Sequence, residues 1–175
     1  PLRSLYRVAK DDVGLETLST YVASESTDPD LRIAANIERG LLAADSGRDA
    51  TEIWRSILSF DPHHLVAIER IANQLKLTGD VYALIALYQG HAPKDAEGIR
   101  FLKEAVELAR THGVGRSLRL ELLESLGELS RAEYGHGLVA QLVLERADLL
   151  TSGGEITQAV DVLLHECDQD TAVWS

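Results

Sequence analysis

Residues 34–62, AANIERGLLAADSGRDATEIWRSILSFDP, and residues 68–91, IERIANQLKLTGDVYALIALYQGH, read as one unit written twice. Each opens with apolar residues at three- and four-residue spacing, the period of a helix. Each then breaks, at Ser46-Gly47 or at Thr78-Gly79-Asp80, and resumes the same period through Trp54 or Tyr88. Glycine ends a helix readily and Ser, Thr or Asp starts the next, so each stretch predicts two helices joined by a tight turn. Working outward, Tyr21, Trp54, Tyr88 and Leu122 follow at spacings of 33, 34 and 34, and Pro29 and Pro62 each lie eight residues beyond the first two. Gly79 and Gly113 are again 34 apart. A fixed period near 34 with two helices per unit predicts an array of stacked helical hairpins.

The rest of the chain extends the pattern. Val66, Ile68, Ile71, Ala72 and Leu75 form one apolar stripe, and Leu102, Ala105, Val106, Leu108 and Ala109 form another. Breaks at Asp28-Pro29, Asp61-Pro62, His112-Gly113 and Ser152-Gly153-Gly154 separate such stripes. Helices are expected near 12–24, 30–46, 49–60, 64–78, 80–90, 95–112, 115–130, 134–152 and 155–167, with a short one before residue 10. Only 5% of residues are aromatic, and no alternating strand pattern occurs. The expectation is an all-α, right-handed solenoid of antiparallel helix hairpins forming one domain over 1–175. Its four to five degenerate repeats fall roughly at 1–29, 30–62, 63–94, 95–131 and 134–168.

At this point the sequence resembles the tetratricopeptide (TPR) family. That pattern places a large apolar residue, then small and large residues down the first helix, a small residue and an aromatic in the second, and a closing Pro. Counting from Ala34 gives Ile37, Glu38, Leu41, Ala50, Trp54 and Pro62; from Ile68 it gives Ile71, Ala72, Leu75, Leu84 and Tyr88. Leu102 leads to Ala105, Val106, Ala109, Leu118 and Leu122, and Val143 to Arg146, Ala147, Leu150, Ala159 and Leu163. Small residues let paired helices approach while large ones fill the gap to the next hairpin. Glu38 and Arg146 depart from the pattern, Gly47 comes two residues late, and the last spacing stretches to 41, which suggests an insertion around 127–137.

The resemblance implies that the first helix of each pair lines a concave groove. The positions it implies are Arg32, Ala35 and Arg39; Val66, Glu69, Asn73 and Lys76; Arg100, Lys103, Glu107 and Arg110; and Gln141, Leu144, Asp148 and Thr151. Arg32, Arg39, Lys76, Arg100, Lys103 and Arg110 are six of the seventeen basic residues of a chain whose net charge is −11. The second helices carry Asp49, Glu52, Glu121, Glu124, Glu128, Asp161 and Glu166 instead. The expected function is a non-enzymatic scaffold that holds an extended, acidic protein segment, with Asn73 available to its backbone. A solvated basic face, in a structural segment of a longer array with no ligand of its own, is the competing reading.

No other chemistry is expected. The acidic balance disfavours nucleic acid. No apolar run approaches the roughly 20 residues that cross a bilayer. A single cysteine, Cys167, reads as a small hydrophobe; it slightly favours a cytoplasmic over a periplasmic setting. His63-His64 reads as turn residues, and His165-Glu166-Cys167-Asp168 points in several directions from one helix, so no metal site, cofactor or catalytic residue is assigned. Gly113-Val114-Gly115 and Gly135-His136-Gly137 lack the Lys-Ser/Thr of a phosphate loop. The start at Pro1 without any Met suggests a piece of a longer protein. The apolar cluster Thr171-Ala172-Val173-Trp174-Ser175 suggests an array that continues or self-associates through an uncapped end.

Overall fold

A computed structural model of the chain describes residues 2–134 and 139–172. Among them are ten helices and no strand: α1 Leu2–Ala9, α2 Asp12–Glu25, α3 Pro29–Asp45, α4 Thr51–Leu58, α5 Leu65–Thr78, α6 Val81–His91, α7 Ala96–Thr111, α8 Arg116–Tyr134, α9 Val139–Ser152 and α10 Ile156–Ala172. The expected helices are all present. Gly135-His136-Gly137 and the 173–175 end of the apolar cluster lie outside the described residues.

Local chemistry fixes the boundaries. Asp11, Asp28, Asp80 and Asp95 each accept a hydrogen bond from a backbone N–H in the first turn of the helix that follows. Asp49 does the same for α4, through Thr51. The histidine at the start of α5 has this structural role too, since His64 Nδ1 accepts from the Ala67 N–H at 3.3 Å. Helices α3, α5, α7 and α9 each run into a glycine at positive φ: Gly47, Gly79, Gly113 and Gly154. At three of these turns the following N–H reaches back five residues, from Arg48 to Ala43, Val114 to Ala109 and Glu155 to Leu150. The turn from α1 to α2 has the same bond, Asp11 to Tyr6, with Lys10 at φ 55 where the others have glycine. Packed hairpins are therefore formed by α1–α2, α3–α4, α7–α8 and α9–α10 among the described residues.

The helices divide into two compact units, one through Gly79 and one from Asp80 onward, so the division falls within the expected repeat 63–94. In the first, α1 packs on α2, α2 on α3, α3 on α4 and α4 on α5; in the second, α6 to α10 pack in the same consecutive order. Within each unit the helices meet in chain order, the packing logic of a solenoid. Trp54, Leu75, Tyr88 and Leu122 are buried, as the repeat predicts. Tyr88 stacks on Phe101, ring centres 5.0 Å apart, and its hydroxyl donates to Glu104 Oε2 at 3.1 Å.

Two details of the predicted register are corrected. Tyr21, the first member of the aromatic series, is 64% exposed. The buried face of α2 is Leu15, Ser19 and Ala23, each 35 residues before Ala50, Trp54 and Leu58, so Ser19 holds the place that Trp54 holds in α4. The unit counted from Ala34 also starts two residues too early. The buried α3 residues Ala35, Asn36, Gly40 and Ala43 precede Ala67, Ile68, Ala72 and Leu75 by 32, matching the interval from Gly47 to Gly79, whereas Leu41 is exposed. Gly40 is thus the small residue of its repeat: a Cβ there would lie 2.5 Å from the Trp54 ring. Glu38 is buried among partners, accepting from Ser19 Oγ at 2.5 Å and from Arg7 Nη2 at 2.7 Å. The other departure, Arg146, pairs with Glu124 at 2.7 Å. The stretched last spacing is carried in part by α8, which runs unbroken through Gly127 for 19 residues against 11 in α6.

Candidate functional site

Helix α7 buries Ile99, Phe101, Leu102, Ala105, Val106 and Ala109, which leaves Lys103, Glu107 and Arg110 on its exposed side. In the second unit these meet Gln141 and Leu142 of α9 across an open groove of ≈ 360 Å³. Val106, Leu126 and Leu142 supply its apolar floor. Lys103, Glu107, Arg110 and Gln141 are four of the positions implied for the groove, brought together from the first helices of two consecutive hairpins.

Their charges are not equally available. Arg110 Nε donates to Glu145 Oε1 at 2.9 Å and Nη2 donates to the other oxygen, while Nη1 reaches Glu107 at 3.1 Å. Arg119 approaches Glu145 at 3.4 Å from α8. The hydrogen bonds from Arg110, with help from its charge and from Arg119, hold the Glu145 carboxyl below its ordinary value of 4.5 despite partial burial. A carboxylate whose folded pKa is depressed contributes stability above its unfolded value and loses it as pH falls through the folded one. The pair is partly open to water, so its contribution is about 0.5–1 kcal/mol. Glu145→Gln should lower the urea midpoint at neutral pH by that amount and flatten the loss of stability below pH 4.5. An unchanged acid limb in the variant would mean that Glu145 is not the group responsible. Lys103, in contrast, is exposed and has no ion-pair partner among the described residues.

The other residues implied for the groove are placed differently. Arg100 donates to Glu97 at 2.7 Å and lies over the Phe101 ring at 4.5 Å. Arg32 caps α2, donating to the Ala23 carbonyl at 3.0 Å, and covers Phe60 at 4.4 Å. Arg39 donates to Asn36 Oδ1 at 2.8 Å and is half-buried. With the α3 register two residues later, the counterparts of Val66, Glu69, Asn73 and Lys76 are Ala34, Ile37, Leu41 and Ala44, so Arg32 and Arg39 stand outside the series. Asn73 and Ala44 do share a hollow of ≈ 170 Å³ in the first unit, with Trp54, Arg70 and Leu77. Lys76 is exposed on α5.

Within each unit, helices that pack in chain order, first helices that meet across a hollow and left-handed turns after them give the architecture. The fold is TPR-like. Comparison with solved structures finds two crystal structures of nearly identical TPR-like repeats from a putative kinesin light chain of Podosopora anserina, one of them a variant. Each is 14% identical to this chain, with a TM-score of 0.44; the alignments cover 98% of this chain and 90% or 91% of theirs. No family model matches the sequence, and no curated protein does.

A second hollow, ≈ 280 Å³, lies among α8, α9 and α10 in the second unit. It is lined by Glu124, Arg131, Arg146, His165 and Glu166 among others. Glu166 is buried against Arg131, whose Nη2 donates to it at 2.5 Å; His165 and Cys167 are exposed, and the Asp168 side chain lies outside the described ones. The three described side chains thus diverge, Glu166 inward and His165 and Cys167 outward, as a helix requires. Among the described residues no group of three or more His, Cys, Asp or Glu is placed to hold a metal ion. Arg131 escaped the sequence reading, yet a signal for it exists. Arg131–Glu166 and Arg110–Glu145 are each 35 apart, and Glu16–Arg48 is 32 apart, so opposite charges one repeat apart mark contacts between repeats.

Proposed function

We propose that this chain is a non-enzymatic scaffold that binds a segment of another protein, with the groove between α7 and α9 as its contact surface. The observation that carries this reading is Lys103: an unpaired ammonium beside the exposed Gln141 amide, over a floor of Val106, Leu126 and Leu142. An extended segment would place a carboxylate on Lys103 and a side chain on the apolar floor, while Gln141 serves its backbone. Arg110 forms the rim, since Glu107 and Glu145 already neutralise it. The preferred ligand is therefore one carboxylate set in an apolar context rather than a long acidic run. Ion pairs in open grooves are weak, so exchangeable, salt-sensitive binding follows.

Selection of displayed random peptides against the full chain tests this. Recovered sequences should share an Asp or Glu flanked by apolar residues. Lys103→Glu should weaken their binding about tenfold, which is roughly 1.4 kcal/mol. Glu121→Lys, on α8, should leave it unchanged. Equal affinity for Lys103→Glu would remove the groove from consideration.

A further inference from the structure

We propose that Glu145 is a built-in competitor in the α7–α9 groove. It occupies the Arg110 fork that a second carboxylate of a bound segment would otherwise take, and so limits the ligand to one acid. This role rests on the groove proposed above as the contact surface, and it names the residue that sets the groove's specificity.

Arg110 presents Nε and Nη2 side by side, and each oxygen of the Glu145 carboxylate accepts one of them. Arginine recognises carboxylates by this two-point geometry, so Glu145 stands where a ligand's Asp or Glu would stand. The partners come from different helices, Arg110 from α7 and Glu145 from α9, and Arg110 lines the groove between them. Glu107 is the weaker holder. It takes only Nη1, from three residues back on α7 itself, and its side chain is 62% exposed against 23% for Glu145. Removing Glu145 therefore frees the Nε and Nη2 donors together and leaves Glu107 where it is.

Glu145 also has a second partner to fall back on. Arg119 of α8 lies 3.4 Å from it and has no other ion-pair partner among the described residues. A carboxylate arriving at Arg110 would leave Glu145 on Arg119, so the exchange strands no charge in this half-buried place. One carboxylate replaces another on the same fork, so a second acid gains a ligand little in the wild-type chain. Charge leads to the same result. Lys103, Arg110 and Arg119 against Glu107 and Glu145 leave one positive charge, and without Glu145 there are two.

The spacing of the two cations sets what a freed fork would select. Lys103 and Arg110 are seven residues apart on α7, about 10 Å along the axis at roughly 1.5 Å per residue. An extended segment covers that distance in about three residues, at roughly 3.3 Å each. With Glu145 removed, the groove should prefer segments whose second Asp or Glu lies about three residues from the first.

Displayed random peptides selected in parallel against the full wild-type chain and against Glu145→Gln, then titrated against both by fluorescence anisotropy, test this role. Peptides from the wild type should carry one acid. Those from the variant should carry two, about three residues apart, and bind the variant at least tenfold more tightly than the wild type. The double variant Glu145→Gln, Arg110→Gln should lose that gain, which separates a freed fork from a general change in net charge. A gain that persists in the double variant overturns the role of Glu145. So do single-acid peptides recovered from both selections with equal affinity for the two chains, and if these still fail on Lys103→Glu the groove itself stands. Peptides indifferent to Lys103→Glu would sink the groove and the role of Glu145 with it. Should Glu145→Gln lose its helical circular dichroism, Glu145→Asp, whose carboxylate is drawn back from the fork by one methylene, takes its place in the same comparison.

Discussion

Trp54→Ala should lower the stability of the first unit by about 3–5 kcal/mol, the cost of emptying a large aromatic site in a core. Trp54 is 3% exposed and joins three helices. It sits in α4, its ring lies against Gly40 of α3, and Arg70 of α5 reaches over it at 5.9 Å from the ring centre. None of these neighbours can fill the space from where it stands, since the helix backbones are held by their own hydrogen bonds and Gly40 has no side chain. Gly40→Ala probes the same contact from the other side, by overpacking rather than by a cavity, and should cost about 1–3 kcal/mol. The double variant is the decisive measurement. The new methyl would enter the space that the indole leaves, so the combined loss in urea denaturation should fall short of the sum of the single losses. Additive losses would mean that Gly40 and Trp54 do not share one space.

Helices and turns were legible because their signals are local. An Asp three residues before a capped N–H, or a glycine where the backbone turns left-handed, acts the same way in any fold. Register was legible only where residue size forces it. Ile68, Ile71, Ala72 and Leu75 admit one alignment, and their burial agrees with it. The earlier segment Ala34-Ala35 to Leu41-Leu42 offers two alignments of similar composition, and counting from Ala34 selects the wrong one. What settles it is the three-dimensional demand of the Trp54 ring for a residue without a side chain, met by Gly40 and not by Glu38.

The cations were legible as a series and not as a site. Composition shows their number, and the resemblance shows a common face, but availability depends on carboxylates a repeat away. Arg110 reads as a free groove charge until Glu145, 35 residues on, is found against it. Arg116 likewise looks ordinary in the sequence. In the structure it donates to the Leu149 carbonyl at 2.7 Å and to Glu155 at 2.9 Å, clasping the end of α9. Of the two cations in the α7–α9 groove Lys103 is the one whose charge remains, and only the position of Glu145 singles it out.

The second large effect concerns a residue with no side chain. Gly98→Ala should destabilise the second unit by roughly 2–5 kcal/mol, combining overpacking with loss of a helix cap. Gly98 lies in the first turn of α7, where Asp95 accepts from its N–H at 3.1 Å and from that of Glu97 at 2.9 Å. A Cβ at Gly98 would fall 1.7 Å from the carbonyl oxygen of buried Pro93 and 3.1 Å from a Leu129 methyl of α8. A flexible side chain could swing away, but a backbone carbonyl two residues before the cap cannot move without taking Asp95 with it. The 92–95 connection would have to be rebuilt, and α7 carries Lys103 on the helix that this connection starts. Gly127→Ala is the matched control: it lies inside α8, where an added Cβ meets no atom within 4 Å. Replacing a helical glycine by alanine there should raise stability by about 0.5–1 kcal/mol. Urea melts followed by circular dichroism should therefore move in opposite directions for the two substitutions. A Gly98→Ala melt that coincides with wild type would show that the Pro93 carbonyl does not lie where α7 begins, and the start of that helix would need to be redrawn.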